Sequence, residues 1–401
     1  MGILFRKDKV FALTNIGWLA VTTAIIGLSA SFVDTIWAVY MNSFVQNIAI
    51  VGFISAFLTL VSFLSFFLII PVLEKSSKSK LFSLTLILFG ISYVLFAINK
   101  NFYVFIILSA IISILITLRM TCLGIIVRDK SSERQLSRNE GLNYTFLNLS
   151  WLIGPLIAGY FSKKYGFNII FLLSAIFIFI AFLFFRISNI KDTNTKKKID
   201  ENLLKNFSDF FKNRERVLAY ILGGGVNLWW VLIYLFIPLF IIENGLGIQW
   251  VGYFLFVVAI PLVLFEYYFA KLAGKIGFKK IFKIGFFIPF FLSFLCFFIG
   301  NTYLILLLLA LASVGLAMLG ATTEAYFFDN LKGKQELRFY SSYNTAIDVN
   351  HFVGKIIASL ILLFLPLKFI FLLYSLFMLV MFLVSFKVKN VIEKRRDGKK
   401  N

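Results

Sequence analysis

From residue 15 to residue 388 the chain alternates between long apolar runs and short polar clusters. Twelve runs approach the roughly 20 mostly apolar residues that a membrane-crossing helix needs. They cover 15–41, 47–71, 81–98, 102–127, 141–162, 167–189, 217–243, 248–271, 279–299, 302–327, 341–366 and 368–388. Some neighbouring runs are parted only by a cluster such as Asn99-Lys100-Asn101. Barrel strands are shorter and alternate apolar with polar positions, whereas these runs are long and apolar throughout. The pattern predicts an all-α integral membrane protein with twelve transmembrane helices.

Composition agrees. Hydrophobic residues make up 60% of the 401, with 51 Phe, and charged residues only 15%, against about 45–50% apolar in ordinary soluble domains. Disordered and collagen-like classes are excluded. Two cysteines inside apolar runs, Cys122 and Cys296, cannot build a disulfide framework. A single histidine, His351, argues against a His-rich metal centre, so no metal and no cofactor is expected.

The net charge of +21 would suggest nucleic acid in a soluble chain. Here it sorts by topology. With the N-terminus inside, the inner segments carry 34 of the 40 Lys and Arg residues and the outer loops 4, while Arg119 and Lys355 lie within spans. Positive residues concentrate on the cytoplasmic side. The expectation is a multi-pass protein of the cell (plasma or inner) membrane with both termini cytoplasmic and no nucleic-acid partner. The first apolar run is too long for a signal peptide. Met1-Gly2 is no myristoylation signal, because position 6 is Arg.

The longest polar stretch separates six runs from six. It predicts an N-terminal bundle over 1–189, a cytoplasmic linker over 190–216 and a C-terminal bundle with its tail over 217–401. Within the linker, Leu203, Phe207, Phe210 and Phe211 recur at helical spacing, as in a short helix lying on the inner membrane surface. The alternatives are a coupling element and a greasy linker, and the linker reading is favoured. The two halves echo each other at an offset of 200. Val51-Gly52 recurs as Val251-Gly252, Lys75, Lys80 and Phe82 as Lys275, Lys280 and Phe282, and Thr145, Gly154, Ile157 and Ala158 as Thr345, Gly354, Ile357 and Ala358. Internal repeats of this kind mark secondary transporters, whose substrate site lies near mid-membrane at the repeat interface. Two pseudo-symmetric six-helix bundles are therefore expected.

Six plus six spans, inner termini and a long central inner loop resemble the major facilitator superfamily over essentially the whole chain. Three local motifs bear on the resemblance. The family's acid-and-base turn between spans 2 and 3 is partly kept as Leu73-Glu74-Lys75-Ser76-Ser77-Lys78-Ser79-Lys80, without the glycines. Its repeat between spans 8 and 9 reads Leu272-Ala273-Gly274-Lys275-Ile276-Gly277-Phe278-Lys279-Lys280, without the acid. By resemblance Glu74, Lys75, Lys275 and Gly277 belong to gating, although membrane anchoring also accounts for the lysines. In span 5, Gly154-Pro155-Leu156-Ile157-Ala158-Gly159 is similar to the family's antiporter signature. Small residues allow close helix approach and Pro155 can bend the span, so Gly154, Pro155 and Gly159 suit a hinge. Arg119 in span 4 loosely matches an arginine of proton-coupled members. The resemblance further implies a monomer and a cavity lined by spans 1, 4, 7 and 10.

Charges inside spans are costly and functional by default. Asp34, Arg119, Glu266, Glu324, Asp348 and Lys355 lie there together with His351. Asp34, on span 1, is the prime candidate to load and release a proton, with Arg119 competing for the same carboxylate. The span boundaries put the two at different depths, an objection to direct pairing. Glu266 and Glu324 sit near inner span ends, and Glu324 is a cavity candidate. Asp348, His351 and Lys355 share one face of span 11 and read as a gating or structural cluster. Trp37, Tyr40, Asn227, Trp230 and Tyr234, with Trp229, are candidates to line a substrate cavity, because aromatic faces suit flat, apolar or cationic ligands; interface belts and packing are the alternative. Gly223-Gly224-Gly225 reads as a flexible helix entry.

The function expected is secondary active transport by alternating access. The form favoured is export of small amphipathic or cationic molecules coupled to an ion, H+. The alternative is a proton-linked importer of a small polar nutrient. A polytopic membrane enzyme is disfavoured, because no Asp-Asp-x-x-Asp, His pair or Gly-x-x-x-x-Gly-Lys occurs.

Overall fold

A computed structural model describes residues 13–131, 136–190, 192, 203–331 and 335–389. Arg6, Lys7, Lys9, most of the linker between 191 and 202 and the basic tail beyond 389 lie outside the described residues. The described chain is helical, with no β-strand among its elements.

The first half contains α1 (Asn15–Val45), α2 (Ile48–Leu68), the short α3 (Ile70–Lys75), α4 (Lys78–Ile98), α5 (Phe102–Asp129), α6 (Leu136–Tyr165) and α7 (Phe167–Ile187). Next come α8 (Leu203–Phe211), α9 (Arg214–Val231), a π-helical turn (Leu232–Phe236) and α10 (Ile237–Glu243). The last five are α11 (Gln249–Ile276), α12 (Phe278–Phe298), α13 (Thr302–Asp329), α14 (Gln335–Leu362) and α15 (Phe369–Ser385). Among the described residues, ten helices are long and apolar enough to cross a membrane, with α9, the π turn and α10 counting as one. The other two expected spans fall on α6, whose first half is polar, and on α15, which has 17 residues. All twelve expected runs are thus helical, and ten meet the length and hydropathy needed to span.

Two runs are interrupted where continuous helix was expected. Run 47–71 breaks at Ile69, one residue before α3, which carries a proline in its first turn. Pro71 has no N–H to donate and its ring crowds the carbonyl four residues back. Run 217–243 contains the π turn, which periodicity does not reveal.

The internal repeat extends to helix boundaries. α4 and α12 begin at 78 and 278 and end at 98 and 298, and α5 and α13 span 102–129 and 302–329. Asn101 caps α5 through its side chain, accepting from Tyr103 N at 2.8 Å, and Asn301 caps α13, accepting from Leu304 N at 3.1 Å. A side-chain oxygen at this position satisfies an orphan amide of the first turn.

The chain forms two compact units. One holds Met1–Gln46, Phe57–Ile199 and Ile241–Phe256, and the other Asn47–Ala56, Asp200–Phe240 and Val257–Asn401. Each unit thus takes in one helix end from the opposite half of the sequence. In the first unit α1 packs on α6 and α7, and α4 on α5 and α7. In the second α12 packs on α13 and α15, and α9 on α13, α14 and α15. The cores are aromatic: Phe96, Phe105 and Phe171 are fully buried in the first unit, and Phe236, Phe282, Phe286, Tyr326 and Tyr374 in the second.

The linker helix α8 does not simply rest on a membrane surface. Phe210 is fully buried, against the rings of Tyr220, Phe327 and Phe339. Only Phe207 and Phe211 are left exposed among its phenylalanines.

Candidate functional site

In the first unit, α1 carries Asp34, α4 carries Phe89 and Tyr93, and α5 carries Arg119. The charges of Asp34 and Arg119 act on each other and on the Tyr93 hydroxyl. The two residues, expected at different depths, thus lie within electrostatic reach of each other. The Arg119 guanidinium lies over the Phe89 ring, 5.4 Å from its centroid. Its Nε is buried and donates no hydrogen bond. Phe89 and Tyr93, both buried, meet edge to face at 5.7 Å. Neither was singled out from the sequence, where two more aromatic residues in a Phe-rich chain carry no signal.

The seam beside this cluster is built from small residues. A Cβ on Gly154 would overlap Ser31 Oγ, and one on Gly27 would meet Leu147 and Ser150. Ser31 donates to Ser150 O at 3.2 Å, and Ser150 donates to Ala24 O at 2.8 Å. Gly154 thus serves the close approach of α1 and α6. Gly159 faces Gly252 of α11 backbone to backbone, and a Cβ on Gly252 would strike the Pro155 carbonyl. Pro155 lies within an uninterrupted α6.

The second unit repeats the seam with different chemistry. At the positions corresponding to Gly159 and Gly252, Ser359 of α14 fills the space before Gly52 of α2. At the position corresponding to Pro155, Lys355 donates to Ser55 O at 3.4 Å. Asp348 and His351, on the same helix, feel the Lys355 charge. The Nε2 of His351 is buried without a hydrogen-bond partner. Asn350, one turn from Gly354, lies against Gly224 of α9.

Towards the ends of α13 and α14, Glu324 accepts a hydrogen bond from the Tyr340 hydroxyl at 2.8 Å. Glu266 of α11 lies against Gly320 of α13, where a Cβ would come 2.5 Å from its Oε1.

The proposed aromatic residues divide. Tyr40 is buried, donates to Phe96 O at 3.3 Å and packs against Phe44, Phe96, Phe105 and Phe171. Trp37, half-buried, contacts Phe96 and Phe105. Both belong to the aromatic packing of the first unit. Trp230 and Tyr234, half-buried, meet at 5.7 Å across the start of the π turn, and Asn227 donates to Gly223 O at 2.9 Å. π turns inside α-helices occur frequently at functional sites. Gly223-Gly224-Gly225 is a packing surface, not a flexible entry: Cβ atoms there would run into Tyr343, Asn350 and Met381 respectively.

The inter-helix turns also differ from expectation. Glu74 and Lys75 are exposed at the end of α3. The acid that organises this turn is Asp192, which the sequence did not single out. It accepts from Ser79 N at 2.9 Å and Ser79 Oγ at 2.8 Å at the start of α4. Burial works to raise its pKa, but hydrogen bonds from Ser77, Ser79 and Lys78 outweigh it and hold the carboxyl below its ordinary range. In the corresponding turn Lys275 is exposed and Gly277 has φ 88°, a left-handed conformation that glycine adopts without strain.

No group of three or more metal-ligating side chains is gathered among the described residues.

Comparison with known proteins sets these clusters in context. The family model described as Major Facilitator Superfamily matches residues 19–265. An uncharacterized MFS-type transporter of Methanocaldococcus jannaschii is 24% identical over 229 residues, which cover 55% of this chain and 58% of that protein. The match therefore spans under two thirds of that relative. Among solved structures, a POT family transporter in complex with 5-aminolevulinic acid superposes with a TM-score of 0.77 at 14% identity, covering 96% of this chain and 98% of that one. The nucleoside transporter NupG superposes with a TM-score of 0.71 at 15% identity, covering 94% of this chain and 100% of that one. At such identities the likeness shows the fold alone.

Proposed function

The chain belongs to the Major Facilitator Superfamily, and from that premise we propose that it is a secondary active transporter working by alternating access, exporting small amphipathic or cationic molecules in exchange for protons. The carrying observation is the juxtaposition of Asp34, Tyr93 and Arg119 inside the first unit. A carboxylate in a low-dielectric site favours its neutral form, and a neighbouring guanidinium favours the charged one. Two opposed influences on one carboxyl let a modest change of surroundings load or release a proton. Asp34 takes up a proton from outside as substrate departs there, the halves rock, and the proton leaves inside as the next substrate binds.

In this reading α6 and α15 join the ten apolar helices as the remaining two of twelve spans, and the halves 1–189 and 217–401 are the moving bodies. Pro155 and the Gly154 and Gly159 contacts form the hinge seam, and Asp348, His351 and Lys355 its charged counterpart. Both termini face the cytoplasm, the protein resides as a monomer in the cell membrane, and it catalyses no covalent chemistry. Asn227, Trp230, Tyr234 and Glu324 are the residues offered to substrate.

A second reading, proton-linked import of a small polar nutrient, is favoured by the fold neighbours, which are described as transporters bound to a peptide conjugate or 5-aminolevulinic acid and as a nucleoside transporter. One experiment separates the two. Purified protein in liposomes with an imposed pH gradient is given tetraphenylphosphonium, with Asp34→Asn in parallel. Gradient-driven accumulation that disappears in the variant is the expected result. No accumulation by either protein retires cation export and turns the search to polar substrates in the importing direction.

A further inference from the structure

An arginine is charged at every accessible pH, and a buried charge whose partner is neutralised is strongly destabilised. If Asp34 cycles between charged and neutral forms, Arg119 needs a second means of staying in place. α4 supplies one. The guanidinium lies 5.4 Å from the centroid of the Phe89 ring, within the range of cation–π attraction. Phe89 is braced by the edge of Tyr93, one helical turn on. α4 is itself locked in register: a Cβ on Gly90 would come 2.6 Å from the Phe179 ring of α7, and Tyr93 and Phe96 pack on Phe171 of the same helix. The unpartnered, buried Nε of Arg119 fits a side chain held by a ring face instead of by a full set of acceptors.

We infer that Phe89, braced by Tyr93, is the seat of Arg119, holding the guanidinium in position through both protonation states of Asp34. The seat rests on the reading of Asp34 as the proton carrier for its purpose, but not for its existence. Phe89 touches neither proton nor substrate and is a positioning residue. An aromatic face provides attraction that does not vanish when Asp34 becomes neutral, and it offers no acceptor that would compete with Asp34 for Arg119.

The test uses the full chain with Phe89 replaced in turn by 4-fluoro-, 3,5-difluoro- and 3,4,5-trifluorophenylalanine. Fluorine drains the ring face of negative potential and changes shape little, so a merely structural role responds weakly. Two readouts are taken: the thermal midpoint in detergent, with and without Arg119→Met, and gradient-driven tetraphenylphosphonium accumulation in liposomes. The expected result is a midpoint that falls stepwise with fluorination and a slope that disappears in the Arg119→Met background. Transport rate falls in the same order by about 2- to 30-fold, the range such a contact spans. Phe89→Tyr retains function and Phe89→Leu loses it.

A midpoint equally insensitive to fluorination in both backgrounds overturns the seat. A stepwise midpoint with unchanged transport overturns its role in coupling. A stepwise, Arg119-dependent midpoint in a protein that moves no tetraphenylphosphonium in any form upholds the seat and removes cation export instead.

Discussion

Glycines in this protein act mainly by what they admit. Gly154 lets Ser31 of α1 occupy the volume of its missing side chain, and Gly277 turns the chain at φ 88° between α11 and α12. At the first site the cost of a side chain is steric. Gly154→Val drives two helices apart and should destabilise the protein by about 1–3 kcal/mol, as overpacking does. A lower thermal midpoint in detergent is the expected reading, with partial recovery when Ser31→Gly is added. A full-strength Gly154→Val protein would show that α1 and α6 do not approach as described. The pattern Gly-Pro-Leu-Ile-Ala-Gly was legible in the sequence, and so were Asp34 and Arg119 as charges inside apolar runs, where they are costly. Phe89 and Asp192 were not. One is a phenylalanine among 51. The other earns its role only by meeting the start of α4, 113 residues away.

The helices were legible as elements, and their irregularities were not. Continuous apolarity cannot distinguish an α-helix from one with a π turn, and so Leu232–Phe236 carries no mark of its own. α8 was expected from its spacing, but its docking was not. Arg338 pairs with Asp209 and donates to Asn206 Oδ1 at 2.6 Å. Arg216 donates to Asp209 O at 2.7 Å, with its guanidinium 4.0 Å from the centroid of Phe339. The hydrogen bond from Lys212 is the first of the influences that hold the Asp209 carboxyl below its ordinary range; desolvation opposes it, and the charges of Lys212 and Arg338 add to the lowering. A depressed carboxylate contributes stability that is fully present above the ordinary aspartate pKa of about 4 and is lost as pH falls through the lower folded value. α8 should therefore stay docked at neutral pH and loosen below about pH 4. A spin label at Lys205→Cys reports this as line narrowing on acidification. Arg338→Met should give the narrow line at every pH. A line unchanged by both acid and Arg338→Met would mean that Phe210 alone holds the helix.

At the scale of the whole molecule, the repeat is the organising fact. Helix boundaries coincide at an offset of 200 in α4 and α12 and in α5 and α13, yet the two seams use different side chains. Pro155 and Gly159 stand in one where Lys355 and Ser359 stand in the other, so one copy carries a charge that the other lacks. The charge sorting of the loops supplies a direct test of orientation. Single cysteines at Lys100 and at Lys279, both outside the buried core, whereas Cys122 and Cys296 are buried, should react oppositely with a membrane-impermeant maleimide on intact cells. Lys100→Cys is expected to label and Lys279→Cys to be protected until the membrane is opened. The reverse pattern would place the termini outside.

The sequence by itself determined the apolar character of each segment, the helical state, the internal repeat and the residues whose charge is out of place. These follow from local composition, because the bilayer requires every spanning segment to satisfy its own backbone hydrogen bonds. Only the tertiary structure decided which helices touch, where the glycines are filled, that Asp34 and Arg119 lie within reach of each other, that Phe89 lies under the Arg119 guanidinium, and that Asp192 meets the start of α4. Those outcomes depend on the rotation and depth of one helix against another. Small residues at the contact set both, and a run of uniformly apolar residues leaves both undetermined.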